Sequence, residues 1–522
     1  MTADRRGSNS GGFSRRTALK TLSGALAASL TGQASAASAP SRPPTGVRPK
    51  QPNILWITGE GVPTSVLSCY GSKLIQTPNI DRIANEGVRF QNAFTTNALC
   101  APSRATLLTG TYTHINGVVA NPDIPGQLQA EAPTFNPAQQ TFVKIMKANG
   151  YQTGLVGKWH LPINPADAGF DYFIYKEGAG GPYYDPNGFL GNPSLGSREI
   201  RNMRFEGYET DVMTDLVMKG IEEFDKPFLM MVQYFNAHRP FDPPHKYEHL
   251  YDNTRIPEPG TFWDDYSHRS SAAKRARMRI EDMPDFNPPS DLTPRQRKQW
   301  NYQKFMEHFL GTLRSQDDNI GRLFEFLERK GLAENTVVVY TTDHGFFMGD
   351  HGWFDKRFMY EQAIRVPMMI RTPWQQHRGV VREHWTANID NAPTALELAG
   401  LPVPAEMQGK SLVPLLESGS TERPSLFYYH YYEFGAPHWV PPHYGVRTER
   451  YKLIYYYTRN EWELFDLEKD PDEMDNLIIE NGLSVQPEYK TVVQTLAKQL
   501  SQLREQYKDH TGPPVKLWLE GD

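Results

Sequence analysis

The stretch NILWITGE, Asn53 to Glu60, decides how the rest of this 522-residue chain is read. Ile54, Leu55, Trp56 and Ile57 are apolar without alternation, and the run stops on a glycine and an acid. It is too short for a helix, and its continuous hydrophobicity suits a strand buried on both faces, as in a parallel sheet covered by helices. Three more runs share the pattern: TGLVGK (153–158), FLMMVQYF (228–235) and TVVVYTT (336–342), with VPMMIR (366–371) as a fifth. Helical patterns lie between them: TPNIDRIANEG, with Thr77 as cap and Gly87 as stop, TFVKIMKANG, and NIGRLFEFLERKG. The alternation predicts an α/β fold with a large central, mostly parallel sheet flanked by helices.

The residues at the carboxyl end of each run point to a site. Gly59 and Glu60 come after the first, Lys158 ends the second with His160 just beyond, Asn236 and His238 come after the third, and Asp343 and His344 after the fourth. Ligands of open parallel sheets bind beyond the carboxyl ends of the strands. A single histidine after a strand is ordinarily a hydrogen-bonded structural residue. Four polar strand ends together predict one shared site.

The chain exceeds what one core normally supports, so a second unit is expected. Net charge is −5 with no long basic run, which argues against nucleic acid as the main partner. Residues 1–36 read as an export signal: Arg15-Arg16 precede a short run of small apolar residues, and Ala34-Ser35-Ala36 suits cleavage. Ala18 stands where the twin-arginine motif has a bulky residue, which leaves general secretion open as the route. The apolar run is too short for a stable membrane anchor. Residues 37–50 read as a linker, 51–420 as the main domain that carries these strand ends, and 421–522 as a smaller α+β subdomain. That last part holds aromatic-rich strands that predict an antiparallel sheet, and then the helical pattern EYKTVVQTLAKQLSQLREQYKD. A tyrosine stripe in strands is by default packing, with a sugar-binding cleft as the alternative.

One of only two cysteines lies in LCAPSRATLLTG, Leu99 to Gly110. Pro102 suits a first helical turn and Gly110 a stop, which puts Cys100 at a helix N-terminus with Arg104 one turn on. Unpaired amides, the helix dipole and a guanidinium fork favour an oxyanion such as phosphate or sulfate there. From the residues alone Cys100 is inert core, a disulfide partner of Cys69, or a chemical group.

The segment CAPSRATLLTG resembles the Cys-x-Pro-Ser-Arg signature of the type I sulfatases, in the alkaline-phosphatase-like superfamily. The segments QTPNIDRIANEGVRFQNAF, LVGKWH, AHRPF, TTDHGFFMGDHGWFDKRFMYEQAIRVPMMIR and YGVRTERYKLI are similar to family segments in family order. The resemblance implies a sulfuric ester hydrolase in which a maturation enzyme converts Cys100 to Cα-formylglycine beside a divalent metal, usually Ca²⁺. In its hydrate one hydroxyl attacks sulfur and the other later expels sulfate. It implies that Arg104 orients that group, that His160 assists sulfate elimination with Lys158 beside it, and that His238 and Lys356 hold the sulfate or protonate the leaving oxygen. The implied metal ligands are Glu60, Cys100, Asp343 and His344, with Gly59 standing where the family has a first acid. The expected substrate is a sulfated polysaccharide or glycosaminoglycan- or mucin-type sugar met outside the cell. A phosphonate or phosphate ester hydrolase of the same superfamily and a non-catalytic glycan-binding protein with a degenerate metal site are the alternatives.

Overall fold

In the computed structural model, which describes residues 48–122 and 133–517 apart from 177, 179, 193, 196, 198, 420 and 481–483, the opening run is strand β1, Asn53–Gly59. The reading of 1–36 as an export signal lies outside the described residues. Strand β1 sits inside a ten-stranded sheet with β2 Val88–Phe94, β3 Gln152–Lys158, β4 Tyr172–Lys176, β5 Phe189–Gly191, β6 Arg201–Met203, β7 Phe228–Gln233, β8 Thr336–Thr342, β9 Met368–Arg371 and β10 Val380–Ala387. Their spatial order is β10-β2-β9-β8-β1-β7-β3-β4-β5-β6.

Strand β1 runs parallel to both neighbours, with Trp56 opposite Met231 of β7 and Val339 of β8. Its side chains alternate between two cores. Leu55 and Ile57 join the cluster under the long helix Pro294–Arg329. Ile54 and Trp56 join the opposite cluster, with helices Cys100–Thr109, Phe142–Ala148 and Asn391–Leu398. All seven β1 residues are buried, which explains why the run shows no alternation.

The sheet is mixed. The fifth run forms β9, which is antiparallel to both β2 and β8, and β5 and β6 make an antiparallel edge. The pattern NIGRLFEFLERKG is only the last third of a 36-residue helix that starts at Pro294. Thr293 and Gln296 form a reciprocal capping box there, so the start carried its own signal.

The C-terminal part is a four-stranded antiparallel sheet, β11 Phe427–Tyr431, β12 His443–Arg447, β13 Tyr451–Tyr456 and β14 Glu461–Asp466, with helix Lys490–Gln506 after it. Tyr428, Tyr429, Tyr431, Tyr444 and Trp462 are buried, so this stripe is packing rather than a cleft lining. Phe94 of β2 and Phe427 of β11 meet with ring centroids 5.0 Å apart, which joins the two sheets through one core. Among the described residues no helix is long and apolar enough to cross a membrane.

One buried pair makes a stability prediction. Glu209 opens helix Glu209–Glu222, and neither carboxylate oxygen has a hydrogen-bond partner; Lys176 Nζ lies 3.7 Å away. Burial outweighs the lysine and pushes Glu209 up to about 8. A raised carboxyl favours folding while protonated, and that contribution is lost as pH rises through about 8. The variant Glu209→Gln, isosteric and uncharged, is therefore expected to gain on the native protein by up to about 1.4 kcal/mol per pH unit between the ordinary glutamate range and about 8, and no further above it. Denaturant unfolding between pH 5 and pH 9 checks this; a constant difference would refute it.

Candidate active site

Helix Cys100–Thr109 carries the centre of the site, and all ten of its residues are buried. Leu99 is extended and caps it, and Gly110, at φ 65°, closes it by donating its N–H to the Thr106 carbonyl 2.9 Å away. That left-handed conformation is one glycine adopts without steric cost. Cys100 is the first helical residue, and the Ala101 amide donates to Asn121 Oδ1 at 2.9 Å. Both cysteines are free, and Cys69 sits 3.7 Å from the Met369 sulfur, so the disulfide alternative is not formed.

Three of the four polar strand ends meet at Cys100; from the third, the Asn236 side chain turns away to accept from the Thr210 hydroxyl at 2.7 Å. The Cys100 Sγ lies 3.1 Å from Glu60 Oε1 and 3.4 Å from His344 Nε2, and His160 hydrogen-bonds it. Arg104, one turn along, is the hub. Nη2 donates to Glu60 Oε2 at 2.7 Å, Nε to Asp343 Oδ2 at 3.1 Å, and Nη1 to Gln233 Oε1 at 2.7 Å and to the Lys158 carbonyl at 3.1 Å. Lys158 Nζ is fully buried 2.8 Å from Glu60 Oε1, and Lys356 Nζ reaches to 4.0 Å of the same oxygen. His238 lies at the more open side; its Nδ1 is 3.1 Å from the Arg239 carbonyl, and the Tyr183 hydroxyl donates to the His238 carbonyl at 2.6 Å.

Cations set the electrostatics. Burial and Glu60 push the Cys100 thiol up, yet Lys158, Lys356 and the His160 hydrogen bond outweigh them and hold it well below its usual range. Burial opposes the charge on Glu60, but Lys158, His344 and Arg104 keep it ionised. Burial, with Glu60 as a like-charged neighbour, lifts Asp343 to about 6. Asp343 overcomes burial to raise His344 to about 9. Burial, Lys158 and Lys356 press His238 down to about 3, so it is neutral at neutral pH.

Several contributors carried no sequence signal strong enough to single them out. Gln233 ends β7 and holds Arg104, and Asn121 ties down the helix start. Beside Lys356, Asp355 and Arg357 both have positive φ, 79° and 97°, and pair with one another. His438 Nε2 lies 3.4 Å from Asp355, and Glu433 Oε1 lies 3.4 Å from Arg357 Nε. Non-glycine residues in that region cost energy and gather at functional sites. The FDKRF spelling announces a lysine but not that its two neighbours form a charged wall with a segment eighty residues downstream.

A model of the sulfatase family matches residues 52–401, two-thirds of the chain. The chain belongs to the sulfatase family. A second family model, for the C-terminal part of N-sulphoglucosamine sulphohydrolase, matches residues 349–506. An N-acetylglucosamine-6-O-sulfatase of Bacteroides thetaiotaomicron is 38% identical over 514 residues, covering 88% of each chain. The solved structure of BT4656 in complex with its substrate D-glucosamine-2-N,6-O-disulfate superposes with a TM-score of 0.80 at 38% identity, over 89% of this chain and 99% of that one. A phosphonate monoester hydrolase of Agrobacterium radiobacter shares the fold at a TM-score of 0.68 and 20% identity, over 88% and 96%. This sulfatase is a sulfuric ester hydrolase of the alkaline-phosphatase-like superfamily, which sets the non-catalytic alternative aside.

The family is metal-dependent, and four buried residues here could hold one divalent cation. Donor atoms of Glu60, Cys100, Asp343 and His344 all lie within 4.8 Å of one another and are buried. Two carboxylates are fewer than a hard, oxygen-seeking cation prefers, and Arg104 already bonds both of them. Gly59 adds no ligand and has little room for one. A Cβ there would stand 3.1 Å from the Tyr340 hydroxyl, 3.3 Å from Val62 Cγ2 and 3.4 Å from Gln316 Nε2.

Proposed function

We propose that this sulfatase is exported and removes O-sulfate groups from sulfated glycans, with 6-O-sulfated glucosamine units as the first candidates. The observation that carries this is the convergence of Arg104, Lys158 and Lys356, all buried, around the single position Cys100. Fixed positive groups where negative charge develops are commonly the largest catalytic contribution. The identities of the N-acetylglucosamine-6-O-sulfatase and of the glucosamine disulfate complex support the sugar class, and the Arg15-Arg16 leader supports export.

The Cys100 sulfur stands in for the oxygen of the hydrated formylglycine made from it. The hydrate supplies a nucleophilic hydroxyl and a second hydroxyl whose deprotonation releases sulfate, so one hard displacement becomes two easier steps. Arg104 fixes the orientation of residue 100 through Glu60 and Asp343. Lys158 and Lys356 hold sulfate oxygens as the bond to the sugar oxygen breaks. Lys356 keeps its proton in the resting site, since Cys100, Asp355 and Glu60 outweigh burial; it delivers that proton to the departing alkoxide, with neutral His238 as hydrogen-bond partner. His160, held neutral by burial, takes the proton of the second hydroxyl. Glu60 and Asp343, with His344 and residue 100, would hold a divalent cation, which supplies charge stabilisation to the bound sulfate.

Hydrolysis of glucosamine 6-sulfate, an aryl sulfate and the matched phosphonate ester by the mature enzyme tests the reading. The sulfates are expected to be turned over with the higher kcat/KM. A preference for the phosphonate would transfer the assignment to the other branch of the superfamily.

A further inference from the structure

The segment Lys274-Arg275-Ala276-Arg277-Met278-Arg279 carries four cations in six residues of a chain whose net charge is −5. It leaves helix Ser271–Arg275 and runs extended. Ala276 and Met278 are buried in the core beneath the C-terminal sheet, which turns Arg277 and Arg279 outward. Each outward guanidinium is seated on a ring: Arg277 lies 5.6 Å from the Trp439 centroid and Arg279 4.1 Å from that of Tyr266. Such seats hold the charge in place; Arg279 Nη2 also donates to the Lys274 carbonyl at 3.1 Å, while Arg277 is exposed.

The backbone of this segment is tied to the rim of the active site. The Arg277 amide donates to the His438 carbonyl at 2.8 Å, and the Met278 carbonyl accepts from the Phe354 amide at 2.8 Å. His438 and Phe354 border Asp355 and Lys356 at the sulfate site. At its other end the segment borders an open cleft of ≈ 410 Å³ lined by Trp263, Tyr266, Arg279 and Arg295. There Arg295 lies 3.9 Å from the centroid of Trp263, an indole that is 38% exposed. Three acids share this lining: Asp264 binds Arg269 at 2.9 Å, Glu281 lies 3.6 Å from Lys298, and Asp265 is exposed. Among the described residues no ion pair engages Lys274, Arg277, Arg279 or Arg295.

We propose that this strip binds the sulfate or carboxylate groups of sugar units beyond the one being desulfated, so that the enzyme is built for sulfated oligosaccharides and polymers rather than free monosaccharides. The inference rests on the sulfated-glycan reading of the active site. Spaced guanidiniums seated on aromatic rings suit a chain that alternates anionic groups with sugar faces, and the backbone bonds to His438 and Phe354 fix the strip beside the sulfate site. Nucleic acid is the competing polyanion, and the strip's junction with the sulfate site favours the glycan.

The test uses the whole mature enzyme and the double variant Arg277→Glu with Arg295→Glu, both surface residues outside the catalytic set. On glucosamine 6-sulfate the variant is expected to match the native enzyme. On a sulfated hexasaccharide its KM is expected to rise about tenfold at unchanged kcat, a loss of about 1.4 kcal/mol. The difference should fade at high ionic strength, because exposed charges are screened. Heparin chromatography reads the strip independently of turnover: the variant is expected to elute at lower salt. If no sugar sulfate is hydrolysed, the functional reading fails while this binding measurement still decides on the strip. An unchanged hexasaccharide KM, an equal loss on both substrates, or retention of duplex DNA without retention on heparin would overturn the proposal.

Discussion

Replacing Cys100 with alanine is expected to cut sulfate-ester hydrolysis by about 10⁴-fold or more, the scale seen when a covalent nucleophile is deleted. The fold should survive. The side chain is small, and the Glu60 oxygens beside it remain held by Lys158 and Arg104. Circular dichroism and a thermal midpoint close to that of the native protein separate lost chemistry from lost structure. Peptide mass spectrometry of protein from a host with the maturation enzyme is the companion measurement, and residue 100 should carry an aldehyde in place of its thiol. Near-native turnover by Cys100→Ala would remove the nucleophile assignment, whatever the family.

The second large effect is on Arg104, and it should appear in stability and activity together. The guanidinium is 4% exposed and bonds Glu60, Asp343, Gln233 and the Lys158 carbonyl at once. Arg104→Ala leaves Asp343 without a guanidinium partner, and breaking a buried pair in this way costs about 3–5 kcal/mol. Activity should fall with it, because Glu60 and Asp343 belong to the group that could hold the cation. Arg104→Lys keeps a charge but cannot span four acceptors, so it should restore part of the stability and little of the activity. Chemical denaturation with parallel kinetics checks both, and a fully active Arg104→Lys enzyme would show that charge alone suffices.

How legible this was depended on what each element faces. Strands β1, β3, β7 and β8 stand in the sequence as continuous apolar runs because helices cover them on both faces, and the polar ends of β1, β3 and β8 lie together around Cys100 and Glu60 while Asn236 after β7 turns away. Strand β10 is half exposed along most of its length, so its residues lack such a run. The direction of β9 could not be read, since a short buried strand has the same composition whichever way it runs. Cys100, Arg104, Lys158, Glu60, Asp343 and His344 are mutual neighbours, each placed by an element that was visible. Gln233 was hidden because it looks like an ordinary polar strand end, and the Asp355–Arg357–His438 wall because it joins distant segments through backbone angles that sequence does not announce.

Gly59 carries a last consequence. The room an acid would need is taken from behind, by Tyr340 of β8 and Gln316 of helix Pro294–Arg329, whose hydroxyl and amide oxygen lie 3.2 Å apart. The number of carboxylates this site could offer a cation is thus tied to side-chain volume on the helix side of the sheet. Grafting an aspartate at this position is a repacking problem, in which Tyr340 and Val62 must give way before 59 can grow. An engineer who wants tighter cation binding should begin in the core, not in the ligand shell.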